Sequence, residues 1–326
     1  MRRSVANLGL GLLVLGLMMI AGCDRQQQST PTNQPSSIRI MLDWKPEPEF
    51  GGFYEAEISG EFSRRKLNVE LKSAGEGAPT WQLVANGQAD YATTAADQVI
   101  IAQQRGADVV ALFAVYQTFP QGIMVHSARN FKKIEDVFTH PGVLAAEDNA
   151  WLKYLLKKYP SPAVQITGYT GGVATFLAKP DYSQQCFITS EPIEAKKKGG
   201  DPQTFLIADA GFNPYTTVLI TRRKMLEDNA SQVKAVVDAC RIGWRKYLDD
   251  PSAANQHMHE LNSEMDPQTF AAAAEAQKAL IETSETKVDG LGSMTAERWK
   301  ALGQQLVDLK VVESAPPAER CFVNFH

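Results

Sequence analysis

Ile38-Arg39-Ile40-Met41-Leu42 runs straight into Asp43-Trp44-Lys45-Pro46-Glu47-Pro48-Glu49-Phe50-Gly51-Gly52-Phe53-Tyr54. The first five residues are apolar and β-prone at alternate positions, the pattern of a half-buried strand. Pro46 and Pro48 cannot donate to a sheet ladder and end it. Gly51-Gly52 lets backbone approach a neighbouring group closely, and Phe53 to Phe62 can form a helix. A strand, a long aromatic turn and a helix in one short stretch is the opening of an α/β layer.

The same order recurs outward from that stretch. Strand-like runs at Leu67–Leu71, Asp90–Thr93, Val109–Val115, Gly122–Val125, Gly142–Ala146, Val164–Thr167, Cys186–Thr189 and Phe205–Ile207 alternate with helical pieces at Thr80–Ala85, Ala95–Gln104, Ile134–Phe138, Ala150–Lys158, Val173–Ala178 and Pro192–Lys198. Repeated βα units with short linkers predict α/β layers. After Thr216–Thr221 the pattern becomes nearly all helix. Val233, Val236, Val237, Cys240, Trp244, Tyr247 and Leu248 share one helical face, and Trp299, Leu302, Leu306 and Leu309 another; both stripes read as core.

Ligands of α/β sheets bind beyond the carboxyl ends of strands. Five turns fall there: Asp43–Tyr54, Ser73–Gly77, Thr93–Asp97, Thr170–Val173 and Thr189–Pro192. Catalytic patterns are missing. There is no Gly-x-Ser-x-Gly elbow, no phosphate-cradling Gly-x-x-x-x-Gly-Lys and no His-Glu-x-x-His. Glu147-Asp148 and Glu47/Glu49 read as solvated acids, and Lys196–Lys198 as cations suited to a helix C-terminus. His257 and His259, two apart, point different ways on a helix and read as surface residues; no metal site and no cofactor are expected.

The 326 residues carry 33 Lys+Arg and 37 Asp+Glu, with 44% hydrophobic residues. That is globular composition, and it lacks the basic excess of a nucleic-acid binder. Arg2-Arg3, the apolar run Leu8–Ile20 and then Ile20-Ala21-Gly22-Cys23 resemble a lipoprotein signal peptide over 1–22, with Cys23 acylated. Residues 23–37 read as a flexible tether. The body is expected on the periplasmic face of a bacterial membrane, held by the lipid. Cys186, Cys240 and Cys321 remain, enough for one disulfide at most.

Leu42-Asp43-Trp44-Lys45-Pro46 with Gly52-Phe53-Tyr54-Glu55-Ala56 resembles the opening motif of the thiamine-pyrimidine-precursor-binding, or "no message in thiamine"-like, family. The likeness continues through Leu67-Asn68-Val69, Val84–Tyr91, Gln117–Gly122 and Phe187–Pro192, covering roughly residues 38–250. The resemblance implies an α/β, two-lobed type II periplasmic-binding-protein fold with a helical C-terminal part. Its first lobe would be 38–120 plus 216–326, and its second 121–215. It also implies a monomeric solute-binding protein that hands a small heteroaromatic ligand to an ABC permease and its ATPase.

Trp44, Phe50 and Tyr54 would then offer stacking surface, and Asp43, Thr93, Thr94 and Glu191 hydrogen bonds, with Gly171 and Gly172 lining the second lobe. Two departures matter. Eukaryotic members include an iron-dependent pyrimidine synthase with a histidine in the first loop and a cysteine-rich segment; here that position is Phe50 and the segment is missing. Acids stand at Glu47 and Glu49, where pyrimidine binders often carry Asn, which admits a related heteroaromatic or a cationic solute. A pyrimidine-synthase-like enzyme and a tethered sensory or scaffold protein are the alternative readings.

Overall fold

The computed structural model describes residues 37–75 and 78–325. The signal peptide, Cys23 and all of the tether before residue 37 lie outside them. Among the described residues, ten strands form two five-stranded sheets. The first holds β1 (Ile38–Leu42), β2 (Val69–Ser73), β3 (Tyr91–Thr94), β4 (Val109–Tyr116) and β10 (Thr216–Arg222), in the order β2-β1-β3-β10-β4. The second holds β5 (Gln121–His126), β6 (Val143–Ala145), β7 (Gln165–Thr167), β8 (Tyr182–Phe187) and β9 (Pro202–Leu206), in the order β7-β6-β8-β5-β9.

The two sheets are built alike. In the first, β1 pairs parallel with β2 and β3, and β10 runs antiparallel between β3 and β4. In the second, β6 pairs parallel with β7 and β8, and β5 runs antiparallel between β8 and β9. The antiparallel strand of each sheet is the one that arrives from the other. The chain crosses after β4 and returns before β10, so each lobe is completed by a strand delivered across the connection.

Strand chemistry follows the layers. In β1, Ile38, Ile40 and Leu42 are buried, and Arg39 and Met41 are more exposed. β4, Val-Val-Ala-Leu-Phe-Ala-Val-Tyr, is buried at every position although it lies last in the sheet. Its outer edge is covered: the Ala114 amide donates to the Gly292 carbonyl at 3.0 Å and the Val323 amide to the Ala111 carbonyl at 2.9 Å. The C-terminal segment thereby closes an edge that would otherwise expose unpaired backbone.

β8 starts earlier than the Cys186–Thr189 expected from the sequence. Its first residues, Tyr182-Ser183-Gln184-Gln185, are polar yet buried. Their side chains are bonded instead of hydrated: Gln184 Nε2 donates to the Gly172 carbonyl at 2.9 Å, Gln185 Oε1 accepts from the Glu147 amide at 2.7 Å, and Ser183 Oγ accepts from Arg129 at 2.9 Å. Hydrophobic patterning is blind to such a strand. Cys186, Cys240 and Cys321 are all buried free thiols. Among the described residues no helix is long and apolar enough to cross a membrane.

The helix Gly51–Ile58 packs on the helix Ala230–Asp249, whose expected stripe is buried throughout. Contact is backbone-close. A Cβ on Gly52 would lie 2.2 Å from the Trp244 ring, one on Gly51 2.1 Å from the Tyr247 ring, and one on Gly243 2.2 Å from the Gly52 carbonyl oxygen. The glycine pair of the first turn therefore admits a helix. Overpacking a tight core costs about 1–3 kcal/mol or more, so Gly243→Val is expected to lower the urea midpoint by at least that equivalent. An unchanged midpoint at unchanged slope would show that this approach is not tight.

Candidate functional site

The five turns singled out from the sequence all follow the carboxyl ends of parallel strands: β1, β2 and β3 in the first sheet, β7 and β8 in the second. The turn after β1 carries most of the chemistry, and neighbours hold it along its length. The Asp43 amide donates to Thr93 Oγ1 at 3.0 Å, and the Thr93 hydroxyl donates back to Asp43 Oδ1. Ser73 Oγ donates to the Trp44 carbonyl at 2.7 Å, and Lys45 Nζ pairs with Glu264 at 2.6 Å. Asn262 Nδ2 donates to the Pro46 carbonyl at 3.1 Å. Gln277 Nε2 donates to the Pro48 carbonyl at 2.8 Å, while its Oε1 accepts from the Tyr116 hydroxyl at 2.6 Å. This fixes the single 3-10 turn Pro48–Phe50, in which Glu49 sits.

The second lobe contributes Glu191, the first residue of the helix Glu191–Lys197. Its Oε1 accepts from the Tyr169 hydroxyl at 2.7 Å and its Oε2 from the Phe187 amide at 2.8 Å. Each oxygen has a further lone pair for an incoming donor.

Electrostatics tie the two halves together. Burial pushes the Glu49 carboxyl well above the carboxylate range, and the charges of Glu47, Asp43 and Glu191 push it further. Glu191 follows β8 and Glu49 follows β1, so this repulsion acts across the two lobes. Burial also raises Asp43, opposed by the Thr93 hydrogen bond, and raises Glu191, opposed by Tyr169 and the Phe187 amide. The Tyr116 phenol is held well above its usual range by burial, with the Glu49 charge adding and a Thr189 hydrogen bond opposing. The Glu47/Glu49 pair is thus partly buried and charge-coupled, not solvated surface. Glu147 and Asp148 are exposed.

Residues 47–254, more than half of the chain, match the family model described as NMT1/THI5 like. The chain belongs to the NMT1/THI5-like family. It is similar to the formylaminopyrimidine-binding protein of Halalkalibacterium halodurans, 23% identical over 303 residues that cover 88% of this chain and 89% of that protein. It is also similar to the riboflavin-binding protein RibY of Chloroflexus aurantiacus, 22% identical over 97% of this chain and 96% of that protein. Among solved structures, the periplasmic aliphatic sulphonate binding protein SsuA of Escherichia coli aligns with a TM-score of 0.66 at 14% identity, over 88% of this chain and 92% of that chain. That likeness shows the fold: an α/β, two-lobed periplasmic-binding architecture.

Within this family member, the residues expected to line the site divide. Asp43 and Thr93 are joined by hydrogen bonds, Trp44 packs half-buried on the first-lobe core, and Glu191 is coupled to Glu49. The Thr94 side chain, at the end of β3, makes no hydrogen bond among the described residues. Gly171 and Gly172 form an exposed turn after β7 with φ of 82° and 67°, a left-handed pair suited to glycine. The stacking expected of Phe50 and Tyr54 is corrected. Phe50 is fully buried in the first-lobe core, and Tyr54, four residues on and on the same helical face, is 2% exposed with its ring edge-on to His257 at 5.7 Å. Helical spacing turns both rings inward, and of the three aromatics only Trp44 stays partly open.

Sequence reading noted Glu49 but took it as solvated and left it out of the candidate site, and it did not single out Tyr169, Tyr116 or Gln277. Tyr169 was signalled by an aromatic directly before the Thr170-Gly171-Gly172 turn; Gln277 lies on a distant helix with no local signal. Tyr169→Phe removes a hydrogen bond that lowers the Glu191 pKa. The Glu191 carboxyl is therefore expected to titrate still higher in the variant, read by carbon-13 NMR of labelled glutamate. A Glu191 titration unmoved by the substitution would contradict this arrangement.

Proposed function

We propose that this chain is a membrane-anchored solute-binding protein of an ABC importer. Its lobes close on a small planar heteroaromatic ligand, pyrimidine- or thiamine-precursor-like, and deliver it to the permease and its ATPase. The observation that supports this reading is that Glu191, from the second lobe, acts electrostatically on Glu49 in the turn after β1, the turn that also carries the partly buried Trp44 ring. A ring stacked on the Trp44 indole, with ring or exocyclic N–H groups donating to Asp43 and Glu191, uses what each lobe offers. The two curated relatives are named for nitrogen heterocycles.

Closure is a hinge motion stabilised by contacts that form only when both lobes reach the ligand. Acylated Cys23 would hold a monomer at the periplasmic face. The enzyme alternative is weakened at Cys186, the cysteine beside the cleft. Burial and then the Glu191 charge push its thiol well above the usual range, the reverse of an activated nucleophile.

Trp44→Ala and Glu191→Gln are each expected to weaken binding of formylaminopyrimidine or riboflavin by about 1–3 kcal/mol, roughly 5- to 150-fold. Titration calorimetry beside melting curves decides it, since a melting loss equal to the affinity loss would mark the residues as structural. For the anchor, Cys23→Ala is expected to move the protein out of the detergent phase on fractionation. Retention of a processed, detergent-phase product would remove the lipid from this reading.

A further inference from the structure

The end of the first sheet opposite the cleft turns carries a surplus of positive charge. β1 begins there at Ile38, whose amide donates to the Asn68 carbonyl at 2.7 Å, just before β2. β3 and β4 also begin there, beside the end of β10, where Thr221 pairs with Tyr91 and Arg222 with Val109. Three acids stand at this end, and each is shared by more than one cation. Asp90, just before β3, lies 3.9 Å from both Arg39 and Arg222. Asp108, just before β4, lies 3.2 Å from both Arg223 and Arg320. Glu61, in the connection leading to β2, pairs with Arg64, with Arg65 at 2.8 Å and with Lys246 at 2.6 Å. Seven cations thus share three carboxylates, in a chain with 37 acidic residues to 33 Lys+Arg.

The surplus faces outward. The side chains of Arg39, Arg64 and Arg320 are 43%, 57% and 59% exposed, while the Glu61 side chain beneath its cations is 7% exposed. Other charges around this end balance. Lys72 pairs with Glu70 and Lys224 with Asp228. Exposed Lys66, Arg105 and Lys310 are matched in number by exposed Glu227, Glu313 and Glu319. The chain leaves the fold at this same end, since Ile38 opens β1. Residues 24–37, between Cys23 and β1, reach at most roughly 50 Å when fully extended. A lipid on Cys23 therefore keeps this face of the body beside the bilayer. Anionic headgroups carry the complementary charge, and each Lys or Arg near such a surface adds to binding until salt screens it.

We propose that this end of the first lobe rests on anionic phospholipid headgroups, with Arg39, Arg64 and Arg320 as the contacting charges and the cleft turns held at the far end of the sheet. The inference rests on the reading of Cys23 as a lipid anchor and adds an electrostatic contact to it. The two reinforce each other, because a tethered patch meets the membrane at high effective concentration.

The three arginines can be neutralised without orphaning an acid. Asp90 keeps Arg222, Asp108 keeps Arg223, and Glu61 keeps Arg65 and Lys246. The test protein is the processed chain, without residues 1–22 and with Cys23→Ala, which retains every strand and helix of the described fold. It is sedimented with vesicles of phosphatidylcholine alone or with about 30% phosphatidylglycerol, at about 0.05 M salt. Binding is expected only to the phosphatidylglycerol vesicles, with release at about 0.5 M salt. Arg39→Gln, Arg64→Gln and Arg320→Gln together should weaken that binding about 100-fold, at about fivefold per cation, with the melting temperature unchanged. Lys at the same three positions keeps the charge and should bind as the parent chain does. Lys132→Gln, Lys153→Gln and Lys179→Gln, exposed on the second lobe, should change binding by less than about twofold.

Equal binding to both vesicle types, no binding to either, or a triple Gln variant that binds like its parent overturns the proposal. The anchor is scored separately, by mass spectrometry of Cys23 in protein taken from cells. An unmodified Cys23 with phosphatidylglycerol binding intact removes the anchor and leaves the surface. An acylated Cys23 without that binding leaves the anchor and removes the surface.

Discussion

Three glycines set the distance between two helices, and the first half of the cleft takes its position from that distance. Gly51 and Gly52 open the helix Gly51–Ile58, and Gly243 lies opposite in Ala230–Asp249, where any side chain would overlap backbone or ring atoms. With β1 locked in its sheet and this helix locked on its partner, residues 43–50 are a loop with both ends immobile. Asn262 and Gln277, from the helical return of the chain, then hold its middle. The first lobe is therefore not a unit that its opening residues can complete alone. The segment that shapes the site waits for side chains more than 200 positions away, which makes the lobe cooperative across the excursion through the second sheet.

This non-locality also decides what the sequence can reveal. The strand, prolines and helix of the opening stretch are local chemistry, and they read correctly from alternation and turn residues. The glycine pair reads correctly as a point of close approach, but the approaching body is a helix encoded some 190 residues later, which no local pattern can name. Phe50 and Tyr54 look like cleft aromatics because they flank the turn. Their inward orientation depends on helical phase against that same distant helix. β8 hides for another reason: its buried polar residues are satisfied by partners from other elements, so its sequence resembles a loop. Glu49 hides similarly, since an acid beside an acid is usually solvated, and only the fold shows that a buried glutamine and a tyrosine pin its turn.

Like charges on opposite lobes also bear on motion. At the effective dielectric of a protein cleft, two carboxylates a few ångströms apart repel by several kcal/mol if both are ionised. The Glu191 charge adds to the rise of the Glu49 pKa, so the approach of the two acids is favoured when one of them is protonated. The Lys197–Asp266 pair, which links the helix Glu191–Lys197 to the start of Pro267–Ile281, works in the opposite direction. It is largely exposed, and pairs of that kind contribute at most about 1 kcal/mol. The exposed ion pair therefore offsets the repulsion between the two acids only weakly.

A ligand shifts such an equilibrium only by its differential affinity for the closed form. A neutral ring could stack on Trp44 in either form and gain little from closure. Under the proposed reading, a ligand that also donates to Glu191 would gain a contact that only the second lobe supplies. Under that reading, the residues that hold the solute would also couple its presence to the approach of the two lobes.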